Sequence, residues 1–218
     1  MRSILVLNTK GGTGKTTIAT NLAVYYANKG LKTGLVDYDR QQSSLDWLQL
    51  RPEDRAPIEG VDGSKTTAKV SRGTEILIMD SPAAVRGKAL ESLLAKAQTI
   101  LVPVVPSAID MNAAEHFLDE LLEAGRVLKN RVRVATIANR VRERSPGTEG
   151  LEEYLSGLKL PGGRRMPFAA MLRSSQNYVH AADRGLGIFE IAPSRAERDL
   201  EMWEPLTRWL NSKRSLPS

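Results

Sequence analysis

The sequence predicts an α/β fold: a mostly parallel, twisted central sheet flanked by helices on both faces. Three observations predict it. Short apolar runs alternate with stretches of helical period. The runs are nearly continuous in apolar residues, with little polar alternation. A glycine-rich turn joins the first run to the first helical stretch. Strands separated by helices build βαβ units and therefore parallel sheets. Strands covered on both faces are apolar throughout.

Residues 4–7 read as a buried strand. Residues 16–29 read as a helix, with Ile18, Leu22 and Tyr25/Tyr26 at helical spacing and Gly30 placed to cap its end. Residues 33–36 form a second strand. Residues 51–74 are polar, carry Pro52, Pro57, Gly60, Gly63 and Gly73, and read as a loop-rich excursion. A third strand at 76–79, a helix at 85–97, a fourth strand at 100–105, a helix at 113–128 and a fifth strand at 132–138 follow. Residues 147–163 read as a softer region, and 191–198 as a loop into a terminal helix. Residues 1–218 read as one domain, without repeats or low-complexity tracts.

Composition narrows the chemistry. The chain has 218 residues, 41% apolar and 26% charged, enough to bury a core. It has no cysteine, which excludes disulfides, thiolate metal sites and cysteine-ligated iron–sulfur clusters. Its two histidines, His116 and His180, are too few for a zinc site. The apolar run near the start is too short for a signal-peptide core, and no stretch reaches membrane-spanning length. The expected location is cytoplasmic. Net charge is +6, and the excess lies in the second half. Residues 126–144 hold Arg126, Lys129, Arg131, Arg133, Arg140, Arg142 and Arg144 against one acid, Glu143. Such asymmetry fits a polyanion partner, nucleic acid or acidic lipid, or simply a solvated basic face.

The segment Lys10-Gly11-Gly12-Thr13-Gly14-Lys15-Thr16-Thr17 follows a strand and opens a helix. That is the setting of a phosphate-binding loop, and it makes the predicted fold that of a P-loop NTPase. The glycines let backbone N–H groups turn toward phosphate oxygens, and the helix N-terminus adds a favourable dipole. Lys15 is placed to reach the β- and γ-phosphates, and the Thr16 hydroxyl to ligate Mg²⁺. Asp37-Tyr38-Asp39 ends the second strand, where open parallel sheets bind ligands. Its two carboxylates suit a metal shell and an attacking water. Residues 76–80 are four apolar residues ending in Asp80, a strand delivering a carboxylate to the Mg²⁺ shell; a helix cap is the plainer alternative.

The loop, with its second lysine in front, resembles the deviant Walker A motif of the ParA/MinD family of ATPases. Other stretches extend the resemblance over nearly the whole chain. They are Asp37–Gln42, Asp80-Ser81-Pro82, the two-proline strand 101–107, and Ile137-Ala138-Asn139-Arg140. Met166-Pro167-Phe168 and Ala182 with Gly185 match more loosely. Two departures are Arg40 and Ala83, where the family usually has proline. The resemblance implies ATP and Mg²⁺ as cofactors and an ATP-bound homodimer in which Lys10 reaches the partner's nucleotide. It gives catalytic roles to Lys10, Lys15 and Asp39, metal roles to Thr16, Asp37 and Asp80, and base contacts to Asn139 and Pro167. The layout is that of short ParA-type partition or cargo-positioning ATPases, with no helix-turn-helix domain expected ahead of the first strand. These imply nonspecific DNA binding, nucleoid association when ATP-bound, and a ParB-like or cargo-adaptor protein that stimulates hydrolysis. The expected DNA face carries Arg164, Arg165, Arg173, Arg184, Arg195 and Arg198. Arg131, Arg133, Arg142 and Arg144 make a second patch. Two rival readings stand beside this one. In the first, a MinD-like membrane helix uses Leu200, Trp203, Leu206 and Leu210. The acids Glu197, Asp199, Glu201 and Glu204 argue instead for a core-packed helix and no stable membrane association. The second is a metabolic enzyme that phosphorylates a carboxylate, for which no substrate motif is evident.

Overall fold

Among the described residues, seven strands are laid down in the order β1 (Arg2–Val6), β2 (Thr33–Asp37), β3 (Ile58–Asp62), β4 (Ile76–Asp80), β5 (Thr99–Val104), β6 (Arg133–Val141) and β7 (Phe168–Arg173). They form one sheet, β3-β2-β4-β1-β5-β6-β7, in which every pairing is parallel. The helices are α1 (Lys15–Ala27), α2 (Ser43–Gln49), α3 (Gly87–Leu94), α4 (Ala108–Val127), α5 (Pro146–Gly157), α6 (Gln176–Ala182) and α7 (Pro193–Leu210). The computed structural model describes residues 1–65, 69–127 and 131–217, with the side chains of 125–127 outside the description. The expected helical residue Leu128 and the basic Lys129 lie outside the described residues; the Arg126 side chain does too.

The apolar runs become strands because helices cover both faces. In β1, Ile4 and Val6 point to one core with Leu22, Tyr26, Trp203 and Leu206, while Leu5 points to the other with Leu94, Leu118 and Leu151. Thus α1 and α7 cover one face, and α3, α4 and α5 the other. β2, β4 and β5 are buried along their whole length.

Two strands escaped the sequence reading. β3 lies in the supposed excursion 51–74; as an edge strand it buries only Ile58, so it has no apolar run. β7, at the opposite edge, is short and alanine-bearing, FAAMLR. The softer region contains α5, whose Gly147, Gly150 and Gly157 mask a buried stripe of Thr148, Leu151 and Leu155. Ser145 caps it, accepting from the Thr148 amide, and Pro146 opens it without losing a needed N–H. The terminal helix starts at Pro193 rather than after a loop to residue 198. Its Trp203, Leu206 and Leu210 are fully buried against the sheet, so the apolar stripe is core packing. No helix among the described residues is long and apolar enough to cross a membrane.

Candidate functional site

The loop of residues 8–14 runs from the end of β1 to α1 and is held by side chains as well as by its own turns. Asn8 donates its amide to the Pro103 carbonyl at 2.7 Å and accepts from the Lys10 amide at 2.9 Å. Asn139, near the end of β6, donates its side-chain amide to the Thr13 carbonyl at 2.7 Å. Gly14 has φ +86, and a Cβ there would sit 2.3 Å from the Asn139 amide nitrogen. No side chain fits at that close approach, so glycine is required. Asn139 thus props the loop, a role the base-contact expectation had not included.

Lys15 is buried, and its ammonium donates to the Lys10 carbonyl at 3.1 Å. Burial lowers its pKa, opposed by the nearby Asp80 and Asp39. Asp80 ends β4 in register with Val6 of β1 and with Asp37 of β2, which brings the two acids side by side at one sheet end. Asp80 is 1% exposed, and its Oδ1 is buried without a hydrogen-bond partner. Burial drives its carboxyl up to about 7, against a lowering hydrogen bond from Thr16, with the charge of Asp37 adding to the rise. An orphaned buried carboxylate oxygen beside a threonine hydroxyl fits a divalent cation. Among the described residues no group of three or more His, Cys, Asp or Glu forms a cage. Mg²⁺ asks for none, since it is held by one or two protein oxygens, phosphates and water.

Asp37 is fully buried and already occupied. One oxygen accepts from the Asp39 amide at 2.8 Å; the other accepts from the Ser44 amide at 2.9 Å and the Ser44 hydroxyl at 2.7 Å. It therefore orders the turn into α2. Asp39 is half-buried, accepts from the Gln41 amide at 3.0 Å, and lies near enough to the loop lysine Lys15 to oppose the lowering of its pKa. Sequence reasoning missed Ser44 as the partner of Asp37, although its spacing from the Asp37-x-Asp39 pair was visible.

Lys10 stands at the outer edge of the loop, its ammonium 2.5 Å from Oδ1 of Asp110 on α4. Burial raises the Asp110 pKa, but Lys10 and Ser107 outweigh it and the net shift is downward. Nothing in the sequence marked Asp110. Beside the loop, Thr17, Ile18, Asn139, Arg140, Ser174 and Gln176 border a hollow of about 350 Å³. Its far wall, Ser174–Gln176, follows β7 and was not among the sequence candidates.

Pro167 is not brought here. It precedes β7, at the sheet end opposite the loop, and lines a different cavity there. The six arginines do not form one surface either. Arg164 and Arg165 also precede β7 and lie at that far end. Arg173 is ion-paired at 2.6 Å with Asp199, which is fully buried, and Arg198 pairs with Glu143 and Glu201. Arg184 and Arg195, both exposed, remain on the loop's side. The second patch splits as well. Arg131 and Arg133 stand at the start of β6 and Arg142 and Arg144 beyond its end, roughly 25 Å apart along the strand. Arg133 also donates to the Leu216 carbonyl at 3.0 Å.

Two contacts join α2 to the C-terminal part of the chain. Arg51, just past α2, forms a paired contact with Glu190 at 2.9 and 2.7 Å, and both side chains are nearly fully buried. Trp47 on α2 donates to the Leu186 carbonyl at 3.2 Å.

Fold and site together define a P-loop nucleotide-binding protein. The model of the CobQ/CobB/MinD/ParA nucleotide binding domain matches residues 4–188, and the chain belongs to that family. It is by this membership a ParA/MinD-type ATPase, in a group with positioning and partition roles. Maintenance of carboxysome distribution protein A of Halothiobacillus neapolitanus is 25% identical over 195 residues, covering 87% of each chain. The chromosome-partitioning ATPase Soj of Thermus thermophilus is 29% identical over 63% of this chain and 68% of its own. Among solved structures, apo McdA of Cyanothece superposes with a TM-score of 0.71 at 17% identity, over 95% of this chain and 99% of that one. A putative plasmid partition protein of Borrelia burgdorferi bound to AMPPNP gives 0.71 at 13% identity, over 95% and 98%. These structural likenesses speak for the fold.

Proposed function

We propose that the chain is a partition-type ATPase. ATP closes two copies into a nucleotide-sandwich dimer that binds DNA without reading sequence. Hydrolysis, stimulated by a ParB-like or cargo-adaptor protein, releases it, moving plasmid or chromosomal DNA or positioning another cargo. The observation that carries this reading is Lys10. It is a second loop lysine, partly exposed and ion-paired with Asp110 of α4, and the phosphates of a facing protomer would compete with that acid for its charge.

The division of labour follows from placement. Backbone N–H groups of Gly11–Thr17 surround the phosphates and Lys15 holds the β- and γ-oxygens, while Lys10 of a partner subunit adds a cation where charge develops, as an arginine finger does. Thr16 and Asp80 would hold Mg²⁺, with Asp37 behind them fixing the turn. The metal, when bound, neutralises phosphate charge and polarises the γ-phosphoryl group. Asp39, half-buried and close to Lys15, orients the attacking water. The base occupies the hollow by Asn139 and Ser174–Gln176. Arg184 and Arg195 are the DNA contacts the fold leaves available on this side.

Binding of a random-sequence duplex, measured with ATP and ADP over a salt series, tests the reading. ATP-dependent binding that weakens steeply with salt and disappears in Lys10→Ala is expected. Equal binding in ATP and ADP, or a Lys10→Ala variant that binds as well as the parent, would overturn it.

A further inference from the structure

At the sheet end remote from the nucleotide loop, the starts of β5 and β6 and the approach to β7 border an open cavity of about 390 Å³. Its walls include Leu122, Val132 and Leu160, half-buried side chains at the margin of the core. Arg133, Arg164, Arg165 and Arg214 line it too, and no acidic residue does among the described residues. Arg133 is engaged at the Leu216 carbonyl, whereas Arg164, Arg165 and Arg214 are exposed and have no ion pair among the described residues.

These arginines are not on loose chain. Arg164 and Arg165 lie on a small hairpin over residues 158–166, closed by Leu160 to Arg164 at 2.7 Å, Gly163 to Leu160 at 3.0 Å and Met166 to Leu158 at 2.9 Å. Its bridge between Lys159 and Arg165 is the only antiparallel pairing among the described residues. Gly162 and Gly163 turn it with φ +90 and +81. Arg214 stands in the C-terminal turn Lys213–Ser215, which is held by Ser212 accepting from the Arg214 amide. Two built segments thus set like charges around an apolar hollow, with no acid among the described residues of its lining to offset them. Such a field favours an anionic partner.

The hollow decides what kind. A DNA backbone presents phosphates and sugars and leaves apolar walls unfilled. A single acid head group leaves most of the guanidiniums unused. A peptide with several carboxylates and apolar side chains between them satisfies both walls and rim. We propose that this cavity docks an acidic, apolar-bearing segment of a partner protein. Casting that partner as the hydrolysis-stimulating adaptor rests on the partition reading; the docking itself does not. Because the site lies at the opposite sheet end from Arg184, Arg195 and the nucleotide loop, adaptor and DNA occupy the protein together.

The test uses the full chain and fluorescein-labelled short peptides of Asp, Glu, Leu and Phe in permuted order. Controls replace the acids by Asn and Gln, or Leu and Phe by Ser. Anisotropy should show saturable binding of the acidic apolar peptides in ATP and ADP alike. Binding should weaken about tenfold or more in Arg164→Ala/Arg165→Ala, in Leu160→Asp and with either control. The same variants are tested for ATP-dependent duplex binding, which should be unchanged. No saturable peptide binding, or binding indifferent to the variants, overturns the proposal while leaving the partition reading to the Lys10→Ala test. Loss of duplex binding in Arg164→Ala/Arg165→Ala would assign the patch to DNA instead. Palmitate displacing the peptide through Leu160 alone, with the arginines indifferent, would make it a lipid site and also overturn the proposal.

Discussion

Gly185 and Gly30 make a matched pair for testing how tightly α2 rests on the C-terminal part of the chain. Both have left-handed backbone, φ +62 and +78. Alanine at either costs about 1–2 kcal/mol from conformation alone. The surroundings differ. A Cβ on Gly30 meets nothing within 4 Å, whereas one on Gly185 lies 2.3 Å from the Arg51 nitrogen and 2.4 Å from the Leu50 carbonyl carbon. Those are backbone atoms, so the end of α2 must shift. Overpacking of that kind costs roughly 1–3 kcal/mol more. Gly185→Ala should therefore lose about 2–5 kcal/mol and Gly30→Ala about 1–2. With a urea slope near ~3 kcal/mol per molar for a chain of this size, the two midpoints separate by roughly 0.3–1 M. Tryptophan fluorescence reads the transition, and Trp47 reports locally because it is hydrogen-bonded to Leu186 across this contact. Coincident midpoints for the two variants would refute the close approach and the seating of α2 derived from it.

Three further outcomes follow from the same structure. Arg51→Met should cost about 3–5 kcal/mol by stranding buried Glu190. Adding Glu190→Met should cost less than the sum of the singles, and strict additivity in urea would refute the pairing. Asp199 feels burial raising its pKa, but Arg173, Asn177 and Ser175 outweigh this and leave it below the ordinary 3.8. Its stabilisation is present above 3.8 and lost as pH falls through the lower folded value. The stability gap between parent and Asp199→Asn should narrow below about pH 4, and a gap constant from pH 7 to 3 would contradict the assignment. Asp80→Asn should blunt the Mg²⁺-dependent tightening of a fluorescent ATP analogue by about tenfold or more. An unchanged Mg²⁺ titration would remove Asp80 from the metal shell.

What could be read in advance was whatever the chemistry makes local. The loop of residues 10–17 and the acids Asp37, Asp39 and Asp80 sit at strand ends whose apolar runs announce them. Ladders buried on both faces leave a plain signature, and the edges do not: β3 buries one residue, and β7 breaks its run with Ala169 and Ala170 and ends in Arg173. The helix α5 was hidden by three glycines although Thr148, Leu151 and Leu155 keep helical spacing. Charge was the poorest guide. Arg131 and Arg144 are close in sequence, yet β6 carries them to opposite ends of the sheet. Arg173 looks like any surface cation until Asp199, twenty-six positions on, is seen beneath it. Long-range partners such as Asp110 for Lys10 or Glu190 for Arg51 have no local signal, because they depend on how separate elements meet.

The central place of β1 has a consequence for how the protein is made. The strand that comes first in the sequence, β1, becomes the middle strand, between β4 and β5. Synthesis delivers the N-terminus first, so Ile4, Leu5 and Val6 wait for residues 76–80 on one side and 99–104 on the other. The loop that follows waits longer still, since the amide that props Thr13 comes from Asn139. A nascent chain halted before that asparagine leaves the loop unsupported even when β4 and β5 already flank β1. Nucleotide can therefore act as a folding ligand only late in translation.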